Sequence, residues 1–490
     1  MTCATKGLLL AAIIGITSGA CRGAAAQTVP AAQRGSAVPP DPAVRLDAAT
    51  LAEVDSFIAR HTGRFGWPGV AVSIGTPDSV VFARGYGTAT LRGDPITERT
   101  PFRIGSVTKT FTALAVARLA EAGRLDLDAP VEEYLPEFTM RPPFVARSIV
   151  VRHLLHHRSG LAQWDGHDRR AQTEGRFDHI APRRAPGGDA EYSSLNYMIL
   201  GRIVESVSGR PYAAHVVTAI LEPLGMEDAF VAGAGIRPPG RAQGHQSYFG
   251  LHVARDEPDP PPFLVPAGFL AASARDMGRY GGMLVGRGTL DGNRVVQDGT
   301  IDGLLAPLGS TGPAMAWGRG RLHDTDVLGH DGNARTSSAR VRLVPERGYA
   351  IAVLVNTNTG PFLDSGTALL DGVHRILEGE PAPTLFPAER LLKGAILLGT
   401  LVSVGGMGLR GRDWRRAGYP VGLRGDARTL GRLAFDVGGA AVLLVALPRF
   451  IGVPLPTLVA YFPDLGIPLV ASAGAGLVGG VLRAFVRSSR

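Results

Sequence analysis

Gly105-Ser-Val-Thr-Lys-Thr110 is the stretch on which the reading of this 490-residue chain turns. Lys109 is one of three lysines in the sequence, the others being Lys6 and Lys393 toward the two ends, and it stands three residues after Ser106. The apolar run Phe111 to Ala122 follows with helical spacing, which sets the two side chains one turn apart on one face. A serine hydroxyl is a weak nucleophile at neutral pH and needs a neighbouring base. A lysine desolvated at the floor of a cleft can serve as one, and the amides of a helix N-terminus add to the polarisation. Taken alone, the same pattern also describes a helix N-cap serine beside a solvated lysine. The sequence on either side has to decide between them.

Working outward, Leu46 to Arg64 has helical spacing through Leu51, Val54, Phe57 and Ile58. Gly69 to Ile74 and Ser79 to Ala83 then read as two strands joined by a turn at Pro77-Asp78. Near the far end Ala339 to Val344 and Tyr349 to Val355 flank Pro345-Glu-Arg-Gly348 as a second hairpin, and Ser365 to Leu377 reads as a helix. From about 106 to 230 the periodicity is mostly helical. The expected fold is therefore α/β in the α+β sense: a mixed, mainly antiparallel sheet built from both chain ends, flanked by helices and interrupted by a helical insertion.

An ordered set of further motifs resolves the ambiguity at Ser106. They are Phe102-Arg-Ile-Gly-Ser-Val-Thr-Lys109, Val151-Arg-His-Leu-Leu-His-His-Arg-Ser-Gly-Leu161, Pro186-Gly187, Tyr192-Ser-Ser-Leu-Asn-Tyr-Met-Ile-Leu-Gly201, Pro223-Leu-Gly-Met226, Pro266-Ala-Gly268, Ala274-Arg-Asp-Met277 and Gly329-His-Asp-Gly332. In order and spacing the sequence resembles the serine beta-lactamase and penicillin-binding-protein superfamily over about residues 45 to 378. The likeness is strongest to the branch of class C beta-lactamases, DD-peptidases and esterases. The resemblance implies a beta-lactamase/transpeptidase-like fold, Ser106 as nucleophile and Lys109 as its partner. It implies Tyr192 as the tyrosine that acts with the lysine in acylation and deacylation, and the amides of Ser106 and Asn333 as the oxyanion hole. His330, Gly332 and Ser194 fall at substrate-binding positions.

Two positions depart from the pattern of efficient beta-lactamases. Ser194 stands where relatives carry the asparagine of Tyr-x-Asn, and His330 where many carry a lysine that holds a substrate carboxylate. A histidine near its ordinary pKa is mostly neutral at pH 7 and anchors a carboxylate poorly; Arg335 is a candidate to compensate. The favoured function is a serine hydrolase acting through an acyl-enzyme on peptide, D-amino acid or ester substrates. The alternatives are a beta-lactamase proper and a sensor that is acylated without turnover. Segments 165 to 189 and 244 to 262 are expected to overhang the cleft. No cofactor or metal is expected, although His153, His156 and His157 have spacing that invites a zinc reading.

Composition places this body in a cell. At 45% hydrophobic and 19% charged the chain is too apolar to be disordered. Of its 51 basic and 43 acidic residues, 13 and 5 lie beyond residue 382, leaving 38 of each in the part before. An electrically balanced body argues against a nucleic-acid partner. Both cysteines, Cys3 and Cys21, precede residue 22, which excludes disulfides and thiolate sites elsewhere. Residues 1 to 26 read as a secretory signal, with cleavage after Ala26, lipidation at Cys21 and retention as the open outcomes, and 27 to 42 as an Ala/Pro-rich spacer.

The body is expected over 43 to 380 and a membrane region over 381 to 490, with spans at 391–409, 433–447 and 465–482. Arg410, Arg412, Arg415, Arg416, Arg424, Arg428 and Arg432 crowd the first connection, which the positive-inside rule makes cytoplasmic. Arg483, Arg487 and Arg490 then end the chain on that same side. A fourth, Pro-broken crossing at 450–463 would reverse that end, and Gly476 and Gly480 suit close helix packing. The expected location is the bacterial cell membrane, multi-pass, with the body on the periplasmic or extracellular side, inner-membrane lipid as one partner and a small-molecule or peptide acyl donor as the other.

Overall fold

Asp47 opens helix α1 (Ala48–Phe65) by accepting the amides of Ala49 at 3.0 Å and Thr50 at 2.9 Å. Strands β1 (Gly69–Gly75) and β2 (Val80–Gly87) follow. The central part holds α2 (Thr108–Glu121), α3 (Ser194–Ser208), the small hairpin β3 (His245–Tyr248) and β4 (Leu251–Ala254), and α4 (Ala274–Val285). Strands β5 (Gly318–Leu322), β6 (Thr325–Asn333), β7 (Ser338–Val344) and β8 (Tyr349–Val355) lead to α5 (Ser365–Leu377). The computed structural model describes residues 44–162, 170, 176–232, 240–255, 257–307, 314–358, 365–417, 427–451 and 453–485. The expected export signal, spacer and Cys21 lie outside these residues, as do Arg424, Arg487, Arg490 and most of 165–175.

The main sheet runs β5-β6-β7-β8-β1-β2, every neighbouring pair antiparallel. The chain ends meet where Val70 faces Val355 and Ile74 faces Ile351, which is the joined-ends sheet expected from the two hairpins. Along β1 the side chains alternate between two cores, as a pleat requires. Val70, Val72 and Ile74 pack with Val54, Phe57, Ile58, Leu369 and Val373 of α1 and α5. Ala71 packs on the opposite face with Met277, Tyr280, Phe111 and Leu200 of the helical layer. A strand covered on both faces reads as continuous apolar sequence, and all of Gly69–Gly75 is buried. Phe111 stacks on Tyr280 with ring centroids 4.0 Å apart, fastening α2 to α4.

Beyond the body come α6 (Ala388–Ala417), α7 (Ala427–Ala441), which runs on as helix through Ile451, α8 (Leu455–Tyr461) and α9 (Pro463–Phe485). Three stretches are long and apolar enough to cross a membrane, Ala388–Leu409, Leu433–Phe450 and Pro463–Val481, each overlapping an expected span. Helix α8, at 7 residues, is too short for a fourth crossing. A Cβ on Gly480 would lie 3.1 Å from Cβ of Asp436, so this glycine lets the last helix close on the second.

The helices are fastened to the body by a polar junction. Lys393 on α6 lies 2.8 Å from both Glu389 and Asp464 and donates to Ser247 Oγ at 3.2 Å. Ser247 in turn donates to Asp464 at 2.9 Å, Gln246 to the Ala460 carbonyl at 2.6 Å, and the Phe249 amide also bonds Asp464. Segment 244–262, expected to hang over the cleft, is thus partly the β3–β4 hairpin braced against the C-terminal helices. Its buried polar side chains find their partners there.

Candidate active site

The nucleophile candidate is held by two backbones in contact. Ser106 lies in a single 3₁₀ turn, Gly105–Val107, immediately before α2. Strand β5 pairs with β6 only as far as Gly329, so the edge from His330 to Asn333 is left beside this turn. A methyl group added to Gly332 would come within 1.9 Å of the Ile104 carbonyl oxygen and 3.3 Å of the Ser106 amide nitrogen. Only glycine permits that approach. Gly332 therefore sets the edge strand, and the amide of the next residue Asn333, against the nucleophile. An unpaired edge of this kind can receive an extended substrate.

Lys109, on the first turn of α2, is fully buried. Its Nζ donates to Ser106 Oγ at 3.1 Å and to the Ala267 carbonyl at 2.5 Å, and among the described residues no carboxylate pairs with it. The same helix grips the Pro266-Ala-Gly268 segment with its neighbouring threonines. Thr112 donates to the Pro266 carbonyl at 2.7 Å, and Thr108 accepts the Leu270 amide at 3.0 Å. Pro266-Ala-Gly268 is legible as a motif, but the role of the Ala267 carbonyl is not, because a main-chain acceptor leaves no side-chain signal.

Tyr192 completes the group. Its ring centroid lies 5.1 Å from Lys109 Nζ, with Tyr197 at 6.0 Å. The hydroxyl of Tyr192 has no hydrogen-bond partner among the described residues, and the residue is 39% exposed although its ring packs against Lys109 and His157. The residue sits in the irregular stretch before α3. The His157 carbonyl accepts the Glu191 amide at 2.8 Å and its Nδ1 accepts the Ser193 amide at 3.1 Å, while the imidazole packs 4.6 Å from the Tyr192 ring. Nothing in the sequence singles out His157 for this position. Among the described residues no three His, Cys, Asp or Glu side chains are placed to hold a metal ion.

The substrate-side positions are arranged as follows. Ser194 is the first residue of α3, just past Tyr192. Asn333 ends β6, its side-chain oxygen accepting from Arg340 at 3.2 Å. His330 donates from Nδ1 to the Asp331 carbonyl at 2.9 Å, which leaves Nε2 as an acceptor, and its ring stands 6.3 Å from that of Tyr192. Burial, and next the charge of Lys109, lower the His330 pKa to about 4. Arg335 does not compensate: it lies beyond the strand end, with its guanidinium 5.9 Å from the Tyr461 ring at the junction with the C-terminal helices.

The depressed histidines predict acid lability. Burial lowers His252 to about 4 as well, and holds His157 well below its usual value, with Lys109 adding to the effect. The unfolded chain takes up these protons near pH 6.5; the folded chain takes up those of His330 and His252 only near 4, and burial keeps His157 from taking up its proton until well below its usual range. Their contribution to stability is thus complete above about pH 6.5 and is lost as pH falls toward 4. Asp276, raised to about 6 by burial, has the opposite sign: its stabilisation is complete below about 3.8 and gone above 6, which offsets one of these protons. Thermal denaturation of the body between pH 7.5 and 4.5 is expected to show a melting temperature that falls toward the acid end. A flat or rising profile would contradict this.

The family model described as Beta-lactamase matches residues 54–374. Esterase EstB of Burkholderia gladioli is 37% identical over 208 residues, covering 38% of this chain and 53% of the esterase, so this match spans about half of that relative's length. Penicillin-binding protein 4 of Amycolatopsis lactamdurans is 30% identical over 354 residues, 67% of this chain and 90% of that protein. Among solved structures, the octameric penicillin-binding protein homologue from Pyrococcus abyssi superposes with a TM-score of 0.56 at 26% identity, covering 71% of this chain and 81% of the other.

Proposed function

This chain belongs to the beta-lactamase family, and on that footing we propose that it is a serine hydrolase that forms an acyl-enzyme at Ser106. Peptide, D-amino acid or ester compounds are its acyl donors, and its C-terminal helices hold the body at the outer face of a membrane. The observation that carries the reading is the 3.1 Å contact of the buried Lys109 Nζ with Ser106 Oγ beside an open strand edge.

In this reading Ser106 Oγ attacks the acyl carbonyl as its proton passes to the Lys109–Tyr192 pair. The oxyanion is met by the amides of Ser106 and Asn333. The pair returns the proton to the leaving alcohol or amine as that bond breaks. Water then attacks the acyl-enzyme, gives its proton to the same pair, and Ser106 leaves with one. The names of the two relatives, an esterase and a penicillin-binding protein, support acyl transfer from esters and peptides. A fluorophosphonate applied to the full-length protein should give an adduct that peptide mass spectrometry locates on Ser106. No adduct, or one on another residue, would refute the reading.

A neutral His330 favours acyl donors without a carboxylate at that position over beta-lactams. Replacing it with lysine restores a cation where a carboxylate would dock. A charge-assisted hydrogen bond contributes about 1.5–3 kcal/mol. His330→Lys is therefore expected to raise kcat/KM for a chromogenic cephalosporin, relative to a neutral p-nitrophenyl ester, by about tenfold or more. An unchanged ratio would remove His330 from the specificity argument.

The membrane placement is supported by Leu398, Leu401, Phe435 and Phe450, which stand exposed on the apolar helices and call for lipid around them. The Arg-rich first connection orients those helices with the body outside.

A further inference from the structure

We propose that His157 is the positioning residue for Tyr192, holding the phenol over Lys109 by gripping the main chain on both sides of it. The proposal rests on the assignment of Ser106, Lys109 and Tyr192 made above. Glu191, Tyr192 and Ser193 belong to no helix or strand, so no regular structure fixes the direction of the tyrosine. His157 substitutes for one. Its carbonyl takes the amide of Glu191 at 2.8 Å, its Nδ1 takes the amide of Ser193 at 3.1 Å, and its ring lies against the intervening phenol at 4.6 Å. Three contacts from one residue bracket the tyrosine before, after and on its face.

The imidazole is itself held in place. Asn196 turns its amide nitrogen to Nδ1 at 3.1 Å, and its oxygen accepts from Ser159 at 2.6 Å. Nδ1 must therefore be unprotonated and the proton must reside on Nε2, which is buried and has no hydrogen-bond partner among the described residues. The backbone at His157 has φ 56, a left-handed conformation that costs an ordinary residue about 1–2 kcal/mol. A phenylalanine would fill the space without wasting a buried N–H, and an asparagine or glycine would suit the backbone better. What histidine alone combines is a flat ring for the phenol and an acceptor for the Ser193 amide. A group that only filled the core would need neither the acceptor nor this backbone.

The test compares kcat and KM for a chromogenic ester among full-length variants in detergent, each checked by thermal melting. His157→Phe keeps the ring and loses the acceptor. It is expected to lower kcat about 30-fold or more, within the range of general-base effects, while KM stays within about threefold. His157→Asn tolerates the positive φ and offers Oδ1 to Ser193, and is expected to recover kcat to within about fivefold of the parent. If His157→Phe does not fold, His157→Leu, which also lacks the acceptor, is read in the same way.

The decisive comparison is a double-mutant cycle. If His157 acts through the phenol, His157→Phe costs less than about twofold once Tyr192→Phe is present. Losses that multiply, or a His157→Phe enzyme with parental kcat beside an impaired Tyr192→Phe enzyme, would overturn the positioning role alone. A fully active Tyr192→Phe enzyme would overturn the assignment of the base, and this proposal with it.

Discussion

Replacing Ser106 with alanine is expected to lower kcat/KM for p-nitrophenyl esters by about 10⁴ or more while leaving the fold intact. Oγ is the atom that forms the covalent bond, and enzymes of this kind that lose their nucleophile retain only the small rate that binding and the oxyanion hole supply. The structural cost is slight. Lys109 loses its 3.1 Å contact with Ser106 but keeps the Ala267 carbonyl at 2.5 Å, and the 3₁₀ turn is held by the backbone contact with Gly332 rather than by the hydroxyl. The melting temperature should stay within a few degrees of the parent, and acyl-enzyme should be undetectable by mass spectrometry. Undiminished ester turnover by Ser106→Ala would sink the hydrolase reading.

Lys109→Met should be nearly as severe, lowering kcat by about 10³. Methionine has a similar length and flexibility and suits the apolar surroundings, so the side chain can be replaced without opening a cavity. It leaves the Ala267 carbonyl without its donor, a loss of about 1–3 kcal/mol. Removing a buried polar amine that has no carboxylate partner among the described residues offsets part of that loss. The variant should therefore fold and melt close to the parent, yet react with fluorophosphonate far more slowly. Arginine should not rescue it, since a planar guanidinium cannot be accommodated where the compact amine of a lysine sits between Ser106 and Ala267. A Lys109→Met enzyme within tenfold of parental kcat would remove the lysine from the chemistry.

What an amino-acid sequence reveals of such a molecule depends on the range of each interaction. The hairpins around Pro77 and Pro345 and the helix Ser365–Leu377 are legible because alternation and helical spacing are properties of consecutive residues. Ser106 and Lys109 are legible because one turn of helix brings them together. The grip of His157 on the residues around Tyr192 is not, since it joins positions about 36 apart through main-chain amides that any sequence would supply. Arg335 misleads for a related reason. Closeness to Asn333 in sequence suggests the cleft, but past the end of β6 the chain turns, and the guanidinium goes to Tyr461 at the junction with the C-terminal helices instead. The contact of Lys393 with Asp464 and Ser247 is equally hidden, because each residue alone looks like an ordinary charge or hydroxyl.

That junction also limits how the body can move. Lys393 and Glu389 belong to α6, Asp464 to α9 and Ser247 to the body, so two separate helices are fastened to the β3–β4 hairpin at one buried knot. In the proposed membrane placement the body is a turret bolted to its deck, not a buoy on a line. In that placement the bolts set the height and bearing of its cleft, and the molecules it can reach are those that pass at that level.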